Sequence, residues 1–265
     1  MRNEELGVKD EELTALPRNN SSFIIPNSAF SIYHALAACA FLGWLVFGKG
    51  WNAFWQQFLY GVSQPMTPTA MWQTILMQSI IFGGLLLILW ASTKIWRSPL
   101  GGVRGATALS AVMLALKMVF PVTVAAFVLS ALGASAIEYF WGVKAAEQDM
   151  VKWFLDPSFK AWVKGLMIFS VAVQAPVLEE LLFRGVILRG FAKSLPQWVA
   201  MVASSLVFAI AHTNAASFMA VFFLGMVFAW LYARTHTILA PMVLHCAFNL
   251  INVLLLVFLP EAATL

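Results

Sequence analysis

Seven apolar segments, each close to the length of a bilayer-spanning helix, constrain this chain more than any other feature. A helix needs ~20 mostly apolar residues to cross the hydrocarbon core. The chain is 61% hydrophobic and 11% charged, whereas soluble domains are about 25% charged. The sequence therefore predicts an all-α, polytopic transmembrane bundle of about seven spanning helices around an intramembrane cavity, with segments at 28–48, 70–92, 107–132, 163–192, 197–212, 216–233 and 238–259.

The polar parts of the chain predict its organisation. Residues 1–27 are rich in acids and lack the basic-then-apolar order of a signal peptide, so we expect a disordered tail. The aromatic, amphipathic segment 51–61 is too short to span, and we expect it to lie in the membrane interface, as an eighth helix beside the seven spans. We interpret 133–162 as a polar connection in which 136–155 forms an amphipathic helix. Three regions result: a tail (1–27), N-terminal helices and loop (28–160), and a helical core that carries the candidate site (161–260).

The charge distribution predicts orientation and excludes one class of partner. Lys and Arg are more numerous in the loops that share a side with the N-terminus, which favours a cytoplasmic N-terminus. We expect a multi-pass protein of the bacterial inner membrane. The net charge is only +4, and no basic cluster suggests nucleic acid, so membrane lipids are the expected surroundings.

The fourth segment carries an unusual charged stretch, APVLEELLFRGVILRG (175–190). Each charge near a bilayer centre costs roughly 2.5–3.5 kcal/mol on insertion scales. Glu180 and Arg184 are four residues apart and can pair on one helix face. Glu179 is rotated about 100° away and has no such local partner, so it should face a cavity or another helix. Pro176 removes a backbone donor and predicts a kink.

Two later segments carry polar residues at helical spacing. Phe208 and His212 are four residues apart near the end of the fifth segment, and His245 and Asn249 are four apart in the seventh. In an antiparallel hairpin centred between residues 195 and 196, Glu179 and His212 are level. We therefore expect these side chains to converge in one cavity.

The depth of His245 sets a condition on this convergence. A straight-helix count places it ~10 Å shallower than Glu179. The depths agree only if the fourth and fifth helices extend past the membrane on the cytoplasmic side. Arg189 and Lys193 would then lie in water.

One Glu, two His and one Asn are the groups that hydrolysis by an activated water requires. Glu can accept a proton from water, and His can assist or position that water. A second His and an Asn can donate hydrogen bonds to a developing oxyanion. The residues predict peptide hydrolysis without a covalent nucleophile.

The same residues resemble the three motifs of the CAAX protease and bacteriocin-processing (Abi) family, which includes the type II CAAX prenyl endopeptidases. The motifs occur in the family's order and approximate spacing, within residues 163–258: EExxxR at Glu179, Glu180 and Arg184, FxxxH at Phe208 and His212, and HxxxN at His245 and Asn249.

The resemblance implies an intramembrane endopeptidase whose core is residues 161–260. In such a protein Glu179 and His212 would activate water, and His245 and Asn249 would bind the oxyanion. Glu180, Arg184 and Phe208 would support the site. The implied substrate is a membrane-associated peptide or a lipidated protein, although no prenyl pocket is visible in the sequence.

Metal dependence has two interpretations. Glu179, His212 and His245 could bind Zn²⁺, since three protein ligands and a water suffice for a catalytic site. The two His lie on different helices, however, and no HExxH pair exists. We therefore expect no cofactor, with zinc as the alternative.

Two other functions use the same residues. A non-catalytic membrane protein, such as a bacteriocin-immunity protein, could bind a peptide in the same cavity. A transporter could use Glu179 and His212 as a proton relay, but inverted repeats would support that function and the sequence shows none.

Overall fold

The computed structural model describes residues 32–47, 105–142 and 156–259, together with the isolated residues 73, 76, 79 and 80. Within these residues the chain forms helices and no strand, which confirms the all-α prediction. The helices are α1 (Ile32–Phe47), α2 (Gly105–Trp141), α3 (Ala161–Phe191), α4 (Gln197–Ala211), α5 (Phe218–Thr235) and α6 (Leu239–Phe258).

Four of the described helices are long and apolar enough to cross a membrane: α2 over residues 108–141, α3, α5 and α6. Helix α4 is apolar but has only 15 residues. The predicted segments from 163 onward match α3 to α6 to within about two residues at each end. The tail (1–27), the interfacial segment (51–61) and most of segment 70–92 lie outside the described residues, so the count of seven spans and the three-region division stay predictions.

Helix α2 is longer than predicted. The expected end at 132 is wrong, because the helix continues to Trp141 and stops at Gly142, whose φ is 64°. It also passes through Pro121 without interruption. Its 37 residues measure about 55 Å at ~1.5 Å per residue, more than the ~30 Å hydrocarbon core. Residues 136–141 therefore belong to this helix, and the rest of the predicted amphipathic helix lies outside the described residues.

Helix α3 alternates between two hydrogen-bonding patterns. It is α-helical over Ala161–Phe169, π-helical over Ser170–Gln174, α-helical over Ala175–Glu180, π-helical over Leu181–Leu188 and α-helical to Phe191. Pro176 and the two carboxylates therefore lie in one short α-helical turn between two π-helical segments. π-Helical segments are rare in proteins, and those that occur are often found at functional sites.

The helices pack so that α3 touches several neighbours. Helix α4 packs along α5, α2 packs on α5 and α6, and α1 covers the second π-helical segment and the end of α3. The buried Gln174 of α3 also donates to Ser79 Oγ at 3.2 Å, so part of the segment 70–92 lies against α3. The candidate site therefore sits where α3 meets α4, α5 and α6.

The end of α3 corrects one prediction. Lys193 is exposed as expected, but Arg189 is only 2% exposed and therefore does not lie in water. The last turn of α3 packs against α1, and Arg189 lies close enough to Tyr232 of α5 to interact electrostatically. A count along one helix could not reveal this cover, because it comes from other helices.

Gly133, just past the predicted end of α2, lies at a close contact with the segment between α4 and α5. A Cβ at this position would overlap the backbone carbonyl oxygen of Ala216. The glycine therefore lets α2 approach the backbone between α4 and α5 directly, and it serves packing rather than helix termination.

We predict that Gly133→Ala destabilises the fold by at least about 1–3 kcal/mol, because a backbone atom cannot move aside as a side chain can. Thermal unfolding in detergent measures the effect. Gly165→Ala in α3 is the matched control, since a Cβ there meets nothing within 4 Å. Equal melting temperatures for the two variants would contradict the packing role of Gly133.

Candidate active site

The pair Glu180 and Arg184 lies at the centre of the site, as the spacing predicted. Arg184 Nη1 donates to Glu180 Oε1 at 2.8 Å. The carboxylate is 0% exposed and the guanidinium 1% exposed. Each charge therefore offsets the desolvation of the other, which would otherwise cost several kcal/mol.

Arg184 is held by three kinds of contact. Besides Glu180, its Nη2 donates to the backbone carbonyl of Gly225 in α5 at 3.0 Å. Its guanidinium carbon lies 4.7 Å from the ring centroid of Phe208 and 5.1 Å from that of Phe228, which is cation–π distance. The cation is thus enclosed by groups from α3, α4 and α5.

Glu180 has a second partner that the sequence did not reveal. Its Oε1 lies 3.0 Å from His245 Nδ1. A carboxylate that already accepts from Arg184 accepts here too, so Nδ1 of His245 carries the hydrogen. The ring of His245 is 5% exposed and stacks on Phe228, with centroids 4.6 Å apart. Glu180 therefore fixes the ring so that Nε2 points away from it.

Nε2 of His245 points to Glu179. Oε2 of Glu179 lies 3.7 Å from His245 Nε2 and 3.9 Å from His212 Nε2. The convergence of these three side chains, predicted from three separate helices, is present. Both distances exceed a direct hydrogen bond, and Glu179 Oε2 has no hydrogen-bond partner among the described groups.

His212 reaches this cluster because α4 ends there. The next residue, Thr213, has a φ of 49°, which breaks the helix. The backbone N–H of His212 donates to Ala209, so the carbonyl of Phe208 is left for the ring nitrogen Nδ1, 2.8 Å away. A carbonyl only accepts, so Nδ1 carries the hydrogen and Nε2 faces Glu179.

Phe208 supports both histidines. It is 1% exposed, and its ring centroid lies 4.5 Å from that of His212 and 6.0 Å from that of His245. It also packs edge-to-face on Phe183 of α3 at 4.9 Å. The apolar ring of Phe208 therefore contacts both histidines and the guanidinium of Arg184.

Asn249 lies one turn beyond His245 and has a different partner. Its Nδ2 donates to the carbonyl oxygen of Val171 at 2.9 Å, in the first π-helical segment of α3. The amide nitrogen carries two hydrogens, so this bond uses one of them. The bond ties α6 to α3 beside the histidine cluster.

The contact between Glu179 and His245 shows how far the ends of α3 and α6 are offset along the bundle. Glu179 precedes the last residue of α3 by twelve positions, whereas His245 follows the first residue of α6 by six. The six-residue difference is roughly 9 Å of helix. The turn after α3 therefore extends beyond the turn before α6.

The accessible side of the site is formed by Glu179 and His212. Their side chains are 30% and 34% exposed, whereas Glu180, Arg184 and His245 are buried. Glu179 and His212 therefore form the exposed edge of the site, although the Oε2 atom of Glu179 that faces the two histidines is itself buried.

Two contributors to the site were missed by the sequence analysis. Gly225 offers only a backbone carbonyl to Arg184, and Phe228 offers an aromatic face to His245 and Arg184. Both lie in the apolar run FLGMVFAW of α5, where no polar signal marks them.

The zinc alternative requires Glu179, His212 and His245 to bind one ion. Among the described residues, no group of three or more His, Cys, Asp or Glu side chains is arranged to hold a metal ion.

We predict that Arg184→Met lowers the stability by about 3–5 kcal/mol, because it leaves Glu180 buried without its cation. The exposed Arg234 of α5 provides the control, and Arg234→Met should stay within about 0.5 kcal/mol of the parent protein. Thermal unfolding of both variants in the same detergent makes the comparison. An Arg184→Met protein as stable as the control would show that the buried pair is not needed for the fold.

The comparisons with known proteins match the helical core. Residues 161–251 match the family described as type II CAAX prenyl endopeptidase Rce1-like. The chain is also 30% identical, over 116 residues, to a Bacillus subtilis (strain 168) protein named "Putative membrane peptidase YdiL". That alignment covers 44% of this chain and 46% of the relative, so it spans about half of either protein. No solved structure matches the chain.

The family match covers all seven motif residues. Together with the four apolar helices, the two matches show an integral membrane protein. They confirm, over residues 161–251, the resemblance to the type II CAAX prenyl endopeptidases that the three motifs predicted.

Proposed function

We propose that the protein is an intramembrane endopeptidase in which Glu179 and His212 activate a water molecule. The observation that carries the proposal is the position of Glu179 Oε2, 3.7 and 3.9 Å from the Nε2 atoms of two histidines. That oxygen has no hydrogen-bond partner among the described groups and is itself buried, while the Glu179 side chain as a whole is 30% exposed. A contact of this length between polar atoms suits a bridging water.

In the proposed reaction, Glu179 accepts a proton as the water oxygen attacks the peptide carbonyl carbon. The Nε2 of neutral His212 accepts the second hydrogen of that water and orients it, because Nδ1 already donates to Phe208. The tetrahedral intermediate then loses its amine as the C–N bond breaks. Glu179 returns the proton to the leaving nitrogen, which restores the carboxylate.

His245 is proposed to stabilise the oxyanion of that intermediate. With Nδ1 bound to Glu180, the ring donates from Nε2 when it carries both protons. Asn249 is the second proposed donor, through the amide hydrogen that Val171 does not use. Glu180 and Arg184 hold His245 in place and do not touch the substrate.

The proposed substrate is a membrane-associated peptide or a lipidated protein. The site lies within a bundle of apolar helices, the matched family is described as prenyl endopeptidases, and the relative is named as a membrane peptidase. The accessible position of Glu179 and His212 suits an extended peptide that enters from one side.

We predict that Glu179→Ala lowers cleavage of a quenched fluorescent peptide library by at least about 10²-fold, the usual contribution of a general base. The purified protein in detergent is assayed with and without a strong zinc chelator. Glu138→Ala is the control, since Glu138 is an exposed carboxylate in α2, and it should keep full activity. Both Glu179→Ala and Glu138→Ala should melt at the temperature of the parent protein.

The outcomes separate the candidate functions. Cleavage that survives the chelator but not Glu179→Ala supports the metal-free mechanism, and loss with the chelator returns the zinc alternative. Full activity of Glu179→Ala contradicts the assignment. Peptide binding without cleavage in every arm favours the non-catalytic, immunity-type function.

We also propose a cytoplasmic N-terminus in a bacterial inner membrane, from the excess of Lys and Arg on that side of the predicted topology. A protease added to inside-out vesicles should remove an N-terminal epitope tag, and in right-side-out vesicles the tag should resist. The reverse pattern would contradict this orientation.

A further inference from the structure

We propose that Gly225 of α5 is a positioning residue of this site, and that only glycine permits this role. Its carbonyl holds Arg184, and Arg184 holds Glu180 and through it His245. The inference rests on the proposed function for its catalytic consequence, but the positioning itself can be measured without any substrate.

The first argument is a continuous series of contacts. The carbonyl oxygen of Gly225 accepts from Arg184 Nη2 at 3.0 Å, and Arg184 Nη1 donates to Glu180 Oε1 at 2.8 Å. The same carboxylate oxygen accepts from His245 Nδ1 at 3.0 Å. The guanidinium is planar and rigid, so fixing one nitrogen on α5 fixes the other on Glu180.

The second argument is the approach of α5 to α4. A Cβ at Gly225 would lie 3.0 Å from Ser205 Cβ and 3.2 Å from Ser205 Cα and Oγ. Ser205 cannot easily give way, because it is fully buried and its Oγ donates to Met201 at 2.7 Å. Any side chain at 225 therefore pushes α5 away from α4 by a few tenths of an ångström.

The third argument is that a displacement of α5 would also move Phe228. Phe228 lies three residues after Gly225, on the same helix face, and stacks on the ring of His245. A displacement of α5 thus moves both the carbonyl bound to Arg184 and the aromatic face under His245. Gly225 sets the geometry of His245 from two sides.

The test uses histidine ring signals in protein labelled with ¹⁵N-histidine. The chain has only four histidines, and the His245 signals are assigned by their loss in His245→Gln. In the parent protein, Nδ1 of His245 should appear protonated. In Gly225→Ala, the His245 signals should move away from those of the parent protein while the other three rings keep theirs.

Two further variants make the result specific. Gly165→Ala should leave all four rings unchanged, because a Cβ there has open space. Adding Ser205→Gly to Gly225→Ala removes the clashing Cβ and Oγ and should restore the His245 signals. Unchanged His245 signals in Gly225→Ala overturn the proposal, and so does a common change in all four rings, which would indicate a general loss of structure.

The catalytic consequence is measured in the same variants. Gly225→Ala should lower kcat roughly tenfold with little change in KM, as small displacements of catalytic groups do, and Ser205→Gly should recover it. Shifted His245 signals in a protein that cleaves no peptide would leave the positioning role standing and would refute the peptidase function. Full kcat with shifted signals would overturn the catalytic part of this inference.

Discussion

The rest of the site depends on the interactions that the buried carboxylate of Glu180 makes with its partners. This carboxylate is fully buried within apolar helices, where an uncompensated charge costs several kcal/mol. It therefore needs partners, and it obtains them from two directions: Arg184 one turn later on α3 and His245 on α6. The requirement brings α6 to α3 at this height in the bundle, and it sets the orientation of one histidine before any substrate arrives.

Two adjacent glutamates perform different tasks because a helix separates consecutive side chains by about 100°. Glu180 points into the packed interior, where its Oε1 accepts from both Arg184 and His245. Glu179 points to the accessible side and is 30% exposed. The short α-helical turn that carries both lies between two π-helical segments. The same dipeptide thus provides one buried structural anion and one partly exposed carboxylate.

Contacts within a single helix were the most predictable from sequence. The pairs Glu180 with Arg184 and Phe208 with His212 follow from a spacing of four residues, and both are present. Contacts between helices were predictable only where a buried charge required them, as for Glu179 and the two histidines. The bond between Asn249 and Val171 could not be foreseen, because it depends on a π-helical segment that no residue pattern announces.

Packing through glycine was the least predictable. Gly133 carried no signal in the sequence, yet it marks a close contact between backbones within α2, which runs to Trp141. Gly225 had no visible role, yet its carbonyl reaches Arg184. Arg189 suggested a wet helix end and is buried by neighbouring helices. In each case the contact is made with a group on another element, so the hydrophobicity of the residue's own segment does not predict it.

The separation of the two glutamates has an evolutionary consequence. Glu180, Arg184 and His245 depend on one another for burial, so a change in any one of them endangers the whole fold. The fold does not depend in this way on Glu179 or on Nε2 of His212. If the proposed function holds, a descendant with a single substitution at Glu179 would lose its chemistry and still remain folded in the membrane. Within such a lineage, the buried triad would record ancestry, and only Glu179 would distinguish enzymes from proteins that had been retained for binding alone.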